Sequence, residues 1–440
     1  MNKNKSIWED TVTLPSFNSL NSDIETDILV VGGGITGILT AYYLKQAGFN
    51  VVLVEKNKIG SGATKNTTAV VTSLQDTLYQ DRVKKLGYKK ARLYLTASMD
   101  AILEYKNLSN KYNFDYEEIP AYMYTCTNSE KLIHEQNVLK SLEFDTQILD
   151  KVKLPFDIQN AIMYPKQAQI NALKLISELA KELNIYEHTE IRKITSKYAY
   201  TDKFKIKANK IILAIHFPFI DHLGMYYAKM YQTKSYVIAA KTKTKLDGAY
   251  ISDVSGGLYF RKYHDYILIG GNDRKTGDKG VNFKNIRQFI KKNYPDANIE
   301  YEWVNQDCMT LDDIPYIGPY SNFSKNTFIA TGFNLWGMTN AMIAAKNLTK
   351  LMLNKETEYT KLFNPNRVVI NKQLFTNLGR YMKNLLTISN KRCTHLGSAL
   401  KWNEEEGVWE CPCHGSKYES DGTLISEPAT TNMTNKSTSI

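Results

Sequence analysis

Residues 27–31 read Asp-Ile-Leu-Val-Val, an apolar run without polar alternation, as in a parallel strand covered on both faces. A turn of small residues from Gly32 to Gly37 follows, then a helical stretch to Ala47, a Gly48 stop and a second apolar run from Val51 to Glu55. This is a βαβ unit of about thirty residues. A further helix-then-strand pattern runs from Ala168 to His188, followed by Ile191 to Ile194 and a strand from Lys210 to Ala214. Between these segments the periodicity changes. Residues 76–150 read as helical pairs such as Tyr88 to Leu108, and residues 230–305 as strands such as Tyr236 to Ala240 and Tyr266 to Gly270. The pattern predicts a Rossmann-like α/β nucleotide domain from residues 24–75, 151–229 and 306–355, interrupted twice by a mixed-sheet domain at 76–150 and 230–305; the whole is α+β.

The rest of the chain is thinner. Residues 356–390 read as a linker in which Leu374, Leu378, Tyr381, Leu385 and Leu386 recur at helical spacing, predicting a helix laid on the preceding domains. Residues 391–428 suggest a small all-β lobe with a hairpin from Ala399 to Glu410, whose Trp402 and Trp409 pack the lobe or are plain core. Residues 429–440, rich in Thr, Asn and Ser, are expected to be disordered.

Composition narrows the class. With 440 residues, 43% hydrophobic and 23% charged, the chain buries real cores and is long enough for two or three domains. No stretch approaches the ~18 apolar residues of a spanning helix, and Met1 to Asp23 is polar, so a cytoplasmic protein without a membrane span is expected. The net charge of +11 is spread along the chain without a block of like charges. That argues against nucleic acid and leaves a basic surface that steers an acidic one-electron carrier. Of five cysteines, Cys393, Cys411 and Cys413 fall close together, which suits a metal centre better than a disulfide framework.

In Gly32-x-Gly34-x-x-Gly37 the first glycine makes the tight turn, the second admits a pyrophosphate and the third lets helix and strand pack closely; Thr36 lies within the motif. Glu55, ending the second strand, is positioned for a ribose 2′-hydroxyl. The loop from Ile59 to Ala69 brings Thr67, Thr68 and Ala69 toward a flavin edge, or is only a surface loop. Phe328 to Thr339 turns from strand through Gly332 and Gly337 into a helix, and its free amides, with Leu335, Trp336, Met338 and Thr339, suit the anionic edge of a reduced flavin.

These residues, together with Asp312 to Gly318, resemble the flavoprotein superfamily of D-amino-acid oxidase and glycine oxidase over about residues 24–355. The resemblance implies bound FAD, with Ile191 near the adenine. Such oxidases often carry an arginine a few residues before the Thr-x-Asp-x-x-Pro-x-x-Gly segment, to pair with a substrate carboxylate. Here Asp307 stands there. It either attracts an ammonium group, favouring an amine over an α-amino acid, or faces solvent or caps a turn. Arg261 and Tyr231 are the other candidates for substrate contact.

Cys393-x-His395 and Cys411-x-x-His414 each supply one thiolate and one imidazole. A tetrahedral zinc site is the alternative, but the mixed order resembles a Rieske [2Fe–2S] centre, in which one iron takes two Cys and the other two His. The resemblance also implies that Ser416 and Tyr418 bond a bridging sulfide and a cysteine sulfur, and that the usual loop disulfide is missing, because Ser398 stands opposite Cys413. Only about twenty residues, Asn371 to Asn390, precede Cys393, so the basal sheet of a Rieske domain is expected to be absent and the lobe to lean on the flavoprotein or a partner. A flavoprotein fused to a Rieske module resembles a group of bacterial FAD-dependent oxidoreductases. The expected reaction is oxidation of a small amine or amino acid by hydride transfer to flavin, with single electrons leaving through the cluster. A reductase running the opposite way is the alternative, and a non-catalytic iron or cluster sensor is a third.

Overall fold

The computed structural model describes residues 2–219, 224–278 and 282–433. An eight-stranded sheet carries, in spatial order, Tyr316–Pro319, Thr327–Thr331, Lys205–Leu213, Ile24–Val31, Val51–Val54 and Asn184–Tyr186, with Lys193–Ile194 and Tyr198–Tyr200 as a side branch. The pairs on either side of Ile24–Val31 are parallel. The strand is covered on both faces, as its unbroken apolar sequence requires: Ile28 to Val30 are fully buried. Helix Ile35–Gln46 is the predicted crossover, and helix Gly337–Met352 packs beside it.

The second sheet has ten strands among the described residues. Within it Met230–Lys241 runs antiparallel to both Asn298–Thr310 and Tyr266–Lys275. It also takes Val70–Val71 and Asn160–Gln169, which the hydropathy pattern assigns to the nucleotide domain; the latter strand pairs with Glu117–Thr125. The two sheets share one core, in which Ile28 and Leu53 of the first and Val237 and Leu268 of the second belong to the same cluster. The polar N-terminal stretch belongs to this body too: Trp8 is fully buried, and its indole N–H donates to the Thr67 carbonyl at 2.6 Å. No helix among the described residues is long and apolar enough to cross a membrane.

The linker helix forms at Lys372–Leu386, capped by the Asn371 side chain on the Leu374 amide. It lies on the flavoprotein. Asn377 donates to the carbonyls of Ala228 and Met230, and Arg380 to that of Thr276 at 3.1 Å. Of the expected apolar face, Leu374, Tyr381 and Leu385 are half-buried, with Tyr381 on the lobe's core, while Leu378 and Leu386 are exposed. The C-terminal lobe is a four-stranded antiparallel sheet, Lys401–Asn403, Val408–Glu410, Lys417–Tyr418 and Leu424–Ser426. The expected disorder from residue 429 onward does not begin there: Ala429 and Met433 are buried in the lobe's core, because that core has little else to fill it. Residues 434–440, the rest of the expected tail, lie outside the described residues.

Candidate functional site

Gly32 ends the first strand at φ +112°, and a Cβ there would run into the Ala214 carbonyl. The turn opens on a cavity of about 490 Å³ lined by Gly32, Gly34, Thr36 and Glu55. Gly37 sits behind it, where a Cβ would meet the Gly32 carbonyl. The Glu55 carboxylate accepts from the amides of Gly33 at 2.7 Å and Asn57 at 2.8 Å, while burial pushes its carboxyl up. Thr67 and the buried Ile191 line the cavity at its sides, and Gly332, Leu335, Gly337 and Met338 at its far end. There Asn334 and Leu335 both hold positive φ, 53° and 71°, a strained conformation for non-glycine residues that accompanies the sharp strand-to-helix turn. A cradle with a glycine turn, a ribose-side carboxylate and a helix start at opposite ends fits a dinucleotide such as FAD.

Not every expected flavin residue faces this space. The Thr339 hydroxyl donates to the Thr72 carbonyl and accepts from the Thr72 amide, both at 2.9 Å, so it clamps a loop. Ala69, at φ 56°, presents its carbonyl to Arg261. Thr68 and Trp336 line a second, smaller cavity that shares Thr67, Asn305, Asp307 and Leu335 with the first.

Three carboxylates, Asp76, Asp273 and Asp307, line this second cavity, of about 60 Å³. Burial pushes the half-buried Asp273 and Asp307 up to about 8 and 7, and the charge of Asp76, an exposed residue at the rim, raises both further. Asn305 donates to Asp307 at 2.6 Å and the Trp336 indole to Asp76 at 3.1 Å. Asp307 is therefore neither at the surface nor capping a turn. Arg261, also on the wall, donates to the carbonyls of Thr68, of Ala69 at 2.9 Å and of Ile170 at 3.3 Å. This guanidinium holds the flavin loop, which displaces the expectation that it receives a substrate carboxylate. Tyr231 is corrected as well: it pairs in register with Met309, carries the Lys275 ammonium 4.5 Å over its ring and lines neither cavity. Asp76 and Asp273 escape a sequence reading. The available signal for Asp273 is the pair Gly270-Gly271 inside a strand, where Gly271 at φ +145° distorts the ladder.

In the lobe two loops mirror each other. Gly397 donates to the Cys393 carbonyl at 3.0 Å and Gly415 to that of Cys411 at 2.9 Å; the Cys393 amide donates to Ser398 and the Cys411 amide to Ser416. The His395 and His414 rings are 5.1 Å apart, and Tyr418 donates to the Cys393 sulfur at 3.5 Å. Among the described residues no three acidic, Cys or His side chains form a single-ion cage. His414 is buried, and its Nε2–H donates to the Tyr227 carbonyl at 3.0 Å. That fixes the tautomer and leaves the buried Nδ1, without a hydrogen-bond partner, as the lone pair for a metal. Two thiols and two imidazoles in paired loops fit a [2Fe–2S] cluster.

The lobe leans on the flavoprotein at several points. Lys234, buried in the second sheet, pairs with Glu410 at 2.6 Å and Glu406 at 3.0 Å, and Lys417 closes the network on Glu406 at 2.6 Å. Burial pushes the Glu406 carboxyl up, but Lys417 and Lys234 overcome it and hold it down to about 2. Gly415 at φ +81° lies so close to Gln232 and Gln306 that a Cβ would strike both amides. The lobe also walls the large cavity. Lys417, Ser426, Glu427 and Thr430 line it, Glu427 pairs with Lys56 beside Glu55, and Arg192, beside Ile191, donates to the Thr430 carbonyl at 3.2 Å. The sequence motifs for FAD contain none of these lobe residues. Between the two sites, Ile215 and His216 line the cavity, while the buried Phe217 ring lies 5.7 Å from His414 and 6.3 Å from His395.

Comparison with known proteins agrees with both halves. The family model for FAD dependent oxidoreductases matches residues 27–351, and that for the Rieske [2Fe-2S] domain matches residues 344–437. YhfW of Bacillus subtilis (strain 168), described as a Rieske 2Fe-2S iron-sulfur protein, is 33% identical over 96% of this chain and 95% of its own length. Gamma-glutamylputrescine oxidoreductase of Escherichia coli (strain K12) is 24% identical over 76% of this chain and 85% of its own. Among solved structures, glycine oxidase from Geobacillus kaustophilus shares the fold at a TM-score of 0.67 and 18% identity, over 79% of this chain and all of that one. With the family model covering well over half of the chain, the protein belongs to the FAD-dependent oxidoreductase family and carries a Rieske [2Fe–2S] domain behind its flavoprotein.

Proposed function

We propose that the chain oxidises a cationic amine and delivers the electrons one at a time, through the cluster, to an external acceptor. The observation that carries this reading is the ring of three carboxylates, Asp76, Asp273 and Asp307, next to the flavin-side residues Leu335 and Trp336. An ammonium group neutralises that ring, whereas a substrate carboxylate is repelled by it, and Arg261 is already engaged by carbonyls. The name of the Escherichia coli relative, a gamma-glutamylputrescine oxidoreductase, agrees with an amine.

Asp307, raised to about 7, can take the ammonium proton near neutral pH, and the neutral amine then gives up its C–H as hydride. Asn305 keeps the Asp307 carboxylate oriented. FAD, when bound, supplies a two-electron acceptor and the cluster a one-electron carrier, which together turn amine oxidation into single-electron delivery. His414 is the buried, flavoprotein-facing side of the cluster lobe, and the half-buried His395 is the less enclosed of the two imidazoles. The basic surface favours an acidic carrier protein.

Mono- and diamines added anaerobically to the holoprotein are expected to bleach the flavin absorbance and then raise the rhombic EPR signal of the reduced cluster. A flavin that stays oxidised with every amine tried overturns the substrate class. A cluster midpoint potential well below that of the flavin reverses the direction of flow.

A further inference from the structure

The linker helix Lys372–Leu386 carries more apolar surface than a helix that merely braces two domains needs. Its inner face is already occupied: Asn377 and Arg380 bond flavoprotein carbonyls, Tyr381 donates to the Leu396 carbonyl at 3.3 Å and packs on the lobe's core, Leu374 and Leu385 are half-buried, and Asn384 is buried, its carbonyl accepting from the Ala399 amide at 2.9 Å. Its outer face carries Phe375, Leu378, Met382 and Leu386, spaced as i, i+3, i+7 and i+11, and all four are exposed, Phe375 by 66% and Leu386 by 75%. The stripe continues past both ends of the helix, with Val368 exposed by 86% and Ile388 by 97%. Apolar side chains scattered over a surface need no explanation, whereas a continuous ridge of them marks a surface meant to be covered.

Charge identifies the cover. From Tyr359 to Asn403 the chain has eight basic residues, Lys361, Arg367, Lys372, Arg380, Lys383, Lys391, Arg392 and Lys401, and no Asp or Glu; Lys361, Arg367 and Arg380 are paired with Glu358, Asp312 and Asp278 from outside the segment, which leaves the charge beside the ridge to the lysines that border it. Lys372 and Lys383 are exposed and fall together on one border of the apolar stripe by helical spacing. We propose that this ridge is a membrane-surface anchor: the helix lies in the headgroup region of an anionic bilayer, with Phe375, Leu378, Met382 and Leu386 inserted and the flanking lysines on lipid phosphates. A second copy of the chain would set the exposed Lys372 and Lys383 of one helix near those of the other, which repels. A convex ridge of flexible apolar chains bordered by lysines also needs no complementary groove in lipid, since the acyl region adapts to it and the ammonium groups reach back to the headgroups.

The consequence for electron delivery is geometric. The helix touches the His395 loop through Tyr381 and Leu396 and through Arg392, which donates to the carbonyls of Leu385 and Gly397. A chain seated by this ridge therefore carries its half-buried cluster histidine close to the bilayer plane.

The test is co-sedimentation of the full-length holoprotein with vesicles. Binding is expected to equimolar phosphatidylglycerol and phosphatidylcholine, to weaken several-fold from low to high salt, and to be much weaker to phosphatidylcholine alone. The double variant F375E/L386E changes only exposed side chains and keeps its flavin spectrum, cluster EPR signal and melting temperature. It is expected to lower the partition coefficient by about tenfold or more, with K372E/K383E intermediate. Wild-type protein left in the supernatant overturns the proposal. If it is then dimeric in sedimentation velocity and monomeric as F375E/L386E, the face is an interface between copies. If an acidic protein binds it and anionic vesicles do not, the face belongs to that protein. A double variant that sediments as fully as wild type also overturns the proposal.

Discussion

The flavoprotein and the cluster lobe are stabilised in different ways. The first has a core that runs unbroken from one sheet to the other, with Ile28, Leu53, Val237 and Leu268 in the same cluster. The buried core of the second is Cys393, Leu400, Cys411, Cys413, Tyr418, Ala429 and Met433, and two of those seven, Cys393 and Cys411, belong to the paired loops that fit the cluster. So small a core does not hold a fold by itself, and the lobe depends on its metal and on polar contacts with its neighbour. A lobe with so small a core can thus be held in place by a larger domain that supplies charged partners in the right places.

Each side of that comparison can be broken. The largest effect is expected from Lys234→Met, which leaves Glu406 and Glu410 buried without their shared cation and weakens docking by about 3–5 kcal/mol. Limited proteolysis should then cleave the lobe while the flavoprotein melts as before; a lobe that stays protected would falsify the idea that this network holds it. Next comes Cys411→Ser. Loss of the EPR signal is expected together with about a tenfold weaker hold on FAD, measured by reconstitution of the apoprotein, because Glu427 and Thr430 wall the same cavity as Glu55. Unchanged FAD affinity would mean the lobe covers the cavity without gripping what is in it.

Asp307→Asn probes the other side. Its carboxyl is raised when folded, so its contribution to stability is present below the unfolded value near 4 and is lost as pH rises through about 7. The variant should be more stable than wild type by on the order of 1 kcal/mol at pH 8 and no more stable at pH 4, while binding amines more weakly at pH 8. Equal melting temperatures at pH 8 would indicate that neither burial nor the charge of Asp76 holds the Asp307 carboxyl up. The smallest effect is Tyr418→Phe, which removes the donor to the Cys393 sulfur and should lower the cluster potential without displacing it, read by redox-poised EPR.

What the sequence makes legible is what a short segment encodes by itself. Gly32 to Gly37 followed by Glu55, and Cys393 with His395 against Cys411 with His414, are local patterns whose chemistry needs little more than spacing. The carboxylate ring is assembled from a loop and two strands, Asp76, Asp273 and Asp307, and only tertiary structure brings them to one cavity. Arg261 misleads for a related reason, since its partners are backbone carbonyls of a distant segment that carry no residue-type signal. The linker helix is predicted from periodicity and found where expected. Periodicity tells which positions share a face; it carries no trace of the bonds from Asn377 and Arg380 to the carbonyls of Ala228 and Thr276 that tie the helix down.

The buried Lys234 also bears on the order in which the molecule is made. Chains emerge N-terminus first and domains fold as they emerge, so the second sheet can close before Glu406 and Glu410 leave the ribosome. Until they do, an ammonium group sits in a site shaped for two carboxylates, and the unfinished flavoprotein carries a local strain that only its own C-terminal segment relieves. That segment is in effect an internal folding partner, and a cell short of iron is expected to accumulate chains caught at this step, complete in sequence and open on one side.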